Sequence, residues 1–209
     1  MKLDISKKNI TAVILSGGAG QRLGGVDKGL EHFKGKPLIE HVIGNIADQA
    51  NNLILCVNRN HQHYKGYGYP LVSDKFDHGD SVVTKDHYQG PLAGITAAID
   101  TLKESLIINK QHCILISPCD SPSLPNDYVA KLSSAMVKSN STSVVVHDGK
   151  RSQNLHCLIH SSAWSSLQDF YKSGGRAMYQ WHKKNGSIEV NFSDQAAYFL
   201  NINSADMLS

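Results

Sequence analysis

One uninterrupted apolar strand signal runs straight into a glycine-rich, cationic loop, and this junction constrains the chain more than any other feature. Ile10-Thr-Ala-Val-Ile-Leu15 shows no polar alternation, which marks a strand covered on both faces. Ser16-Gly-Gly-Ala-Gly-Gln-Arg-Leu-Gly-Gly-Val-Asp-Lys-Gly-Leu30 follows it directly, with glycines at 17, 18, 20, 24, 25 and 29. Similar buried-strand runs recur at 53–57, 113–117, 143–147 and 155–160, with short ones expected at 71–72, 188–192 and 198–202. Helical stripes lie between them. Pro37 is expected to open the first, carrying Ile39, Val42, Ile43, Ile46, Ala47 and Ala50 on one face. Pro91 opens a second, carrying Ile95, Ile99 and Leu102. Others are expected over 126–138, capped by Asn126, and over 161–172 and 176–184. Strands alternating with helices predict a three-layer α/β fold with a mainly parallel sheet. Ligands of such sheets sit beyond the carboxyl ends of the strands. The informative segments are therefore 16–30, 58–60, 73–74 and 117–125.

Composition narrows the classes. With 209 residues, the chain is long enough for one sizeable core, and the length favours one domain. Hydrophobic residues are 41%, charged residues 19% and the formal net charge +3, an ordinary globular balance. No apolar run approaches a membrane span, and the polar stretch 1–9 lacks the core of a signal peptide. Basic residues are scattered without an aromatic platform, so neither a nucleic-acid nor a membrane partner is expected. Cys56, Cys113, Cys119 and Cys157 form no Cys-x-x-Cys pair, which argues for reduced thiols in a cytoplasmic protein. The eleven histidines lack a His-Glu-x-x-His arrangement and read as surface or core residues. There is no Gly-x-Ser-x-Gly elbow to support hydrolase chemistry.

The loop over 15–30 fits neither the dinucleotide fingerprint, because Leu23 occupies the third glycine position, nor a Walker loop. Its glycines still let the backbone approach a ligand and aim N–H groups at it. Arg22 and Lys28 add two cations, a combination suited to a triphosphate. Asp120 follows another strand in Ser117-Pro-Cys-Asp-Ser-Pro-Ser-Leu-Pro125, where three prolines stiffen the turn. One carboxylate held out from a strand end suits Mg²⁺, which binds through one or two carboxylates plus substrate phosphates. Cys119 is expected to pack beside it. Asn58 and Asp74 each follow a strand, where an amide and a carboxylate read either a base edge or ribose hydroxyls. Residues 75–89 read as a long polar surface loop.

Leu15, Gly17, Gly18, Arg22, Gly24, Gly25, Asp27, Lys28, Gly29 and Leu30 together resemble the signature of the molybdenum cofactor guanylyltransferases. Ser16 stands where alanine is usual and Leu23 where methionine is usual. Gly35-Lys-Pro-Leu38, Asn58-Arg59, Gly90-Pro-Leu-Ala-Gly94, Pro118-Cys-Asp-Ser-Pro122 and Asn201-Ile-Asn203 extend the resemblance along nearly the whole chain. It implies a Rossmann-like nucleotidyltransferase domain over 1–209. The part to about residue 125 would bind the nucleotide and the remainder would face the pterin substrate. It further implies GTP contacts by Leu15, Ser16, Gly17, Gly18, Lys28, Asn58, Asp74 and Asp120, catalytic roles for Arg22, Lys28 and Asp120, and Mg²⁺ on Asp120. Arg176, Asn201 and Asn203 match positions near the pterin, and an Asn-x-Asn on a strand would put both side chains on one face. Gln153-Asn-Leu155 stands where relatives carry Gln-Pro-Leu.

The reaction so implied is transfer of GMP from GTP to the terminal phosphate of molybdopterin, with release of pyrophosphate. A phosphate monoester is already anionic near neutrality, its second pKa being about 6, so no general base is required. Catalysis would come from positioning and charge neutralisation. Transient contact with molybdoenzymes or their chaperones would follow. Two alternatives stay open: the same fold using CTP or UTP with another phosphorylated acceptor, and a non-catalytic GTP-binding adaptor. The Gly17-Gly18 pair argues against the first, and Arg22, Lys28 and Asp120 together argue against the second.

Overall fold

A computed structural model describes Leu3 and residues 5–17, 26–74, 90–105 and 109–202. Gly18, Arg22, Asn203 and the loop 75–89 lie outside the described residues. In chain order the elements are β1 (Ile10–Leu15), β2 (His32–Phe33), β3 (Lys36–Pro37), α1 (Leu38–Ile46), β4 (Asn52–Cys56), α2 (His61–Lys65), β5 (Leu71–Val72), α3 (Pro91–Glu104), β6 (Cys113–Pro118), α4 (Tyr128–Ser139), β7 (Ser143–His147), β8 (Ser152–His160), α5 (Trp164–Lys172), α6 (Met178–Asn185) and β9 (Ile188–Asn191).

Seven strands form one sheet in the order β5-β4-β1-β6-β8-β7-β9. The pairs β5–β4, β4–β1, β1–β6 and β7–β9 are parallel. Only β8 runs against its neighbours β6 and β7. The sheet is therefore mainly parallel, as the continuous apolar runs require. Alternate side chains leave it on opposite faces. Ala12, Ile14, Leu53, Leu55 and Leu115 pack against α1 and α4, through Ile39, Val42, Ile46, Leu132 and Met136. Val13, Ile54, Ile114, Ile116 and Ile159 pack against α3, α5 and α6, through Ile95, Ile99, Trp164, Leu167 and Trp181. These are the three expected layers. Among the described residues, no helix is long and apolar enough to cross a membrane.

Local departures from the sequence reading have physical causes. Pro37 closes the small β2–β3 hairpin and caps α1 rather than lying within it. Residues 47–49 leave the helix although Ala50 stays buried. The Tyr/Gly-rich stretch hides the one-turn helix α2, which Tyr64 anchors by full burial. The strand expected over 198–202 is absent: residues 193–199 form 3₁₀ turns and 200–202 carry no regular structure. Buried Phe199 lies between exposed Tyr198 and Leu200, a strand-like alternation that fails at Asn201 and Ile202, since Ile202 is the next buried residue three positions on. What holds the segment is packing of Phe199 on Phe192, Tyr128 and His156, not a ladder.

β8 also departs from a regular strand. Its register steps from Cys157 opposite Val145 to Gln153 opposite Val146. Asn154, Leu155 and His156 thus bulge from the ladder, a device that re-aims side chains. The bulge faces the carboxyl ends of β1 and β6, where the site lies.

Candidate active site

Two adjoining clefts open beyond the carboxyl ends of the parallel strands, the position such sheets reserve for ligands. The first is lined by Leu15, Gly17, Lys28, Asn58, Asp74 and Asp120, with Gly90, Pro91 and Gly94 of the α3 amino end. The second is lined by Asp120, Arg151, Ser152, Gln153, Asn154 and Asn201. Pro118, Asp120 and Leu155 belong to both.

In the first cleft, β4 and β5 end side by side and bring Asn58 and Asp74 together. Asn58 Nδ2 donates to Asp74 Oδ2 at 2.9 Å, and the Asp74 backbone N–H donates to Asn58 Oδ1 at 3.0 Å. Burial raises the Asp74 carboxyl pKa, and the Asn58 hydrogen bond opposes the rise. A side chain at Gly17 would place its Cβ 2.8 Å from Asn58 Nδ2, so glycine is what lets β1's end lie beside this pair. The amino end of α3 adds backbone N–H groups and a favourable dipole for an anion.

Lys28 and Asp120 meet in the middle. Lys28 Nζ lies 2.8 Å from Asp120 Oδ2, each side chain 19% exposed. The other carboxylate oxygen, Asp120 Oδ1, is buried and has no hydrogen-bond partner among the described residues. An orphaned anionic oxygen is costly unless a ligand completes it. Among the described residues, no group of three or more His, Cys, Asp or Glu side chains is placed to hold a metal. One hard carboxylate beside an ammonium and a helix amino end instead fits a divalent cation that would take its remaining ligands from a bound anion and water. Cys119 is buried next to it; burial and the Asp120 charge push its thiol up to about 12, so it is an inert packing group. All four cysteines are free and buried.

The second half of the glycine loop is clamped from below, a feature the sequence did not reveal. Tyr64 OH donates to Asp27 Oδ1 at 2.7 Å, so the Ser16 hydroxyl, also 2.7 Å away, donates to the phenol oxygen. Asn60 Nδ2 donates to Asp27 Oδ2 at 3.0 Å, and Arg59 donates to the Val26 carbonyl at 2.7 Å. Burial pushes the Tyr64 pKa up, against the Ser16 hydrogen bond and with the Asp27 charge, so the phenol stays a donor. Gly29 completes the clamp: a Cβ there would come within 2.0 Å of Ser16 Oγ and 2.4 Å of Tyr64 OH. Asp27 is thus held by Tyr64, Asn60 and Arg59, whose Nε lies 3.9 Å from Asp27 Oδ2, and Lys28 is carried on it. Tyr64→Phe leaves the buried Asp27 and Ser16 oxygens short of a partner, at about 1–3 kcal/mol. The expected result is a Tm lower by roughly 3–8 °C, read by thermal unfolding; a shift under about 1 °C would contradict the clamp.

In the second cleft, Asn201 is held beside Asp120. The Ile202 backbone N–H donates to the Asp120 carbonyl at 2.8 Å, and the Ser121 hydroxyl donates to Asn201 Oδ1 at 2.8 Å. Arg176 is not brought there. Its guanidinium donates to the Tyr171 and Gly175 carbonyls and stacks on the Tyr171 ring. Only its backbone approaches the rim of the first cleft, its carbonyl lying 3.4 Å from where a Gly90 Cβ would stand. Arg151 and Gln153, which sequence reasoning did not single out as site residues, line the second cleft instead. Among the described histidines, His112, His156 and His160 are buried, and burial lowers their pKa values.

Comparison with known proteins identifies the family and the fold. Residues 12–186 match the MobA-like NTP transferase domain. The molybdenum cofactor guanylyltransferase of Mannheimia succiniciproducens is 36% identical over 96% of this chain and 97% of that protein. The protein of the same name from Polynucleobacter asymbioticus is 38% identical over 98% of this chain and 96% of its own. Among solved structures, the molybdopterin-guanine dinucleotide biosynthesis protein A of Archaeoglobus fulgidus shares the fold. Its TM-score is 0.71 at 20% identity, over 95% of this chain and 94% of that one. Rv0371c of Mycobacterium tuberculosis does so with a TM-score of 0.65 at 14% identity, over 87% of each chain. Taken with the family match over most of the chain, the full-length relatives above 30% identity show that this chain belongs to the molybdenum cofactor guanylyltransferases, within the MobA-like NTP transferases.

Proposed function

We propose that this enzyme transfers GMP from GTP to the terminal phosphate of molybdopterin or its molybdenum-loaded form, releasing pyrophosphate. The observation that carries the reading is the pair of clefts meeting at Asp120. One offers an amide–carboxylate pair, an ammonium and a helix amino end; the other offers a guanidinium and three amides. A nucleotide on one side and an anionic acceptor on the other would meet where the carboxylate stands.

In this reading Asp74 selects the base. A carboxylate accepts two adjacent N–H donors, which guanine presents at N1 and its exocyclic amine, and Asn58 orients that carboxylate. The Leu15–Gly18 backbone and the α3 amino end cradle phosphates, while Lys28 and Arg22 stabilise the charge that builds on pyrophosphate. Asp120 holds Mg²⁺, which when bound neutralises phosphate oxygens. Asn201, with Asn203 beyond it, holds the acceptor. Arg176 serves the acceptor only if its guanidinium leaves Tyr171. The acceptor phosphate attacks unassisted by a base, being anionic already. One sheet runs through both halves, so we treat 1–209 as a single working unit. The free buried thiols support a cytoplasmic setting, where molybdoenzymes or their chaperones would collect the product.

Calorimetric titration with GTP, CTP, ATP and UTP, each with Mg²⁺, tests the base assignment. Binding of GTP at least tenfold tighter than the others is expected, with Asp74→Asn collapsing the preference, since one lost charged hydrogen bond is about 1.5–3 kcal/mol. Equal binding of all four nucleotides, or a CTP preference, would sink it.

A further inference from the structure

The β8 bulge carries a histidine that the family signature does not account for. His156 is 1% exposed, between the rings of Tyr128 and Phe199 at 6.1 and 5.2 Å, and it borders the acceptor cleft. Its Nε2 lies 3.0 Å from Ser121 Oγ, while Nδ1 is buried without a partner among the described residues. Ser121 is fully buried, and its single hydroxyl hydrogen goes to Asn201 Oδ1 at 2.8 Å. The serine oxygen therefore only accepts from the ring, and the ring must carry its hydrogen on Nε2. Burial lowers the His156 pKa to about 3, so the ring is neutral at any working pH.

This tautomer sets the polarity of the cleft. With Nε2–H donating, Ser121 donates onward and Asn201 is held by its oxygen, leaving its amide N–H groups toward the cleft. With the opposite tautomer, Ser121 would donate to Nε2, Asn201 would turn its amide toward the serine, and its oxygen would face the ligand. Only the first arrangement welcomes an anionic oxygen. We propose that His156 is a positioning residue which, through Ser121, presents the Asn201 amide as a donor to a phosphate oxygen of the acceptor substrate. The proposal rests on the guanylyl-transfer reading for the identity of that substrate.

His156→Leu and Ser121→Ala each break the relay, and His156→Gln restores a donor near the Nε2 position. With GTP, Mg²⁺ and molybdopterin, the first two variants are expected to raise the acceptor KM about tenfold while the GTP KM stays within about twofold. His156→Gln should recover most of the loss. An unchanged acceptor KM in both breaking variants overturns the proposal, as does a parallel rise in both KM values, which marks a merely structural role. A second measurement needs no substrate and reads the wild-type ring directly. ¹⁵N NMR of the wild-type histidine rings, with the His156 signal assigned by its loss in His156→Gln, should show the neutral Nε2–H form between pH 6 and 8. An Nδ1–H ring or an imidazolium refutes the relay. Wild-type protein that consumes no GTP with molybdopterin sinks the functional reading instead, and the NMR result still judges the relay.

Discussion

Asp120→Asn is expected to lower the rate of pyrophosphate release by at least about a thousandfold while the fold survives. β6 is buried along its whole length and delivers this residue to the junction of the two clefts. The following turn is stiffened by Pro118, Pro122 and Pro125, so the carboxylate has little freedom to compensate. One of its oxygens faces Lys28 and the other has no partner among the described residues. Asparagine keeps the shape but removes the charge that a divalent cation needs, and its amide end presents N–H groups where an acceptor is required. The structural cost is modest. A partly exposed pair is worth about 1 kcal/mol, or roughly 2–4 °C in Tm for a chain this size. A melting curve near that of the wild type, together with lost turnover, is the expected outcome. Turnover within tenfold of the wild type would remove Asp120 from the chemistry.

How much of this was legible in the sequence depends on where each residue sits relative to a strand end. Asn58, Asp74 and Asp120 were legible as cleft residues because each closely follows a buried apolar run, and parallel sheets collect such positions along one edge; Lys28 was legible as a cation in the glycine-rich loop after β1. The three layers were legible because the apolar runs lack alternation and the helical stripes have one apolar face. The Tyr64–Asp27 clamp was not, since its partners are 37 residues apart and a lone tyrosine in a Gly/Tyr stretch carries no local sign of its role. Arg151 and Gln153 were hidden for another reason. They reach the acceptor cleft only because β8 inserts antiparallel between β6 and β7 and then bulges, and neither event has a sequence period. Asn201 was singled out by its match to the family pattern, and the strand expected to carry it is absent. The residue is fixed instead by Ser121 and the Ile202–Asp120 backbone bond. Arg176 shows the converse: its match to the family pattern gave no indication that its guanidinium would be taken up by Tyr171 and Gly175.

Lys28→Met should have two effects of opposite sign, and that combination is the sharper test of the central ion pair. The ammonium lies 2.8 Å from Asp120 Oδ2 and is carried on the clamped Asp27, so it partly neutralises the carboxylate before any nucleotide arrives. A divalent cation approaching Asp120 must work against that like charge. Two unit charges about 4 Å apart at an effective dielectric near 20 interact by about 4 kcal/mol, before screening and relaxation reduce it. Without nucleotide, Mn²⁺ titrated into Lys28→Met and followed by its paramagnetic signal should therefore bind about tenfold more tightly than to the wild type. With GTP and acceptor present the same substitution should cost about 10²–10³ in kcat/KM, because the charge growing on the departing pyrophosphate loses a fixed donor. Asp120→Asn should abolish Mn²⁺ binding in either background, which separates loss of the ligand from loss of its counter-charge. If Lys28→Met bound Mn²⁺ no better than the wild type, the pair would not govern cation entry. If it also turned over normally, Lys28 would be a structural cation on a glycine-rich loop and nothing more.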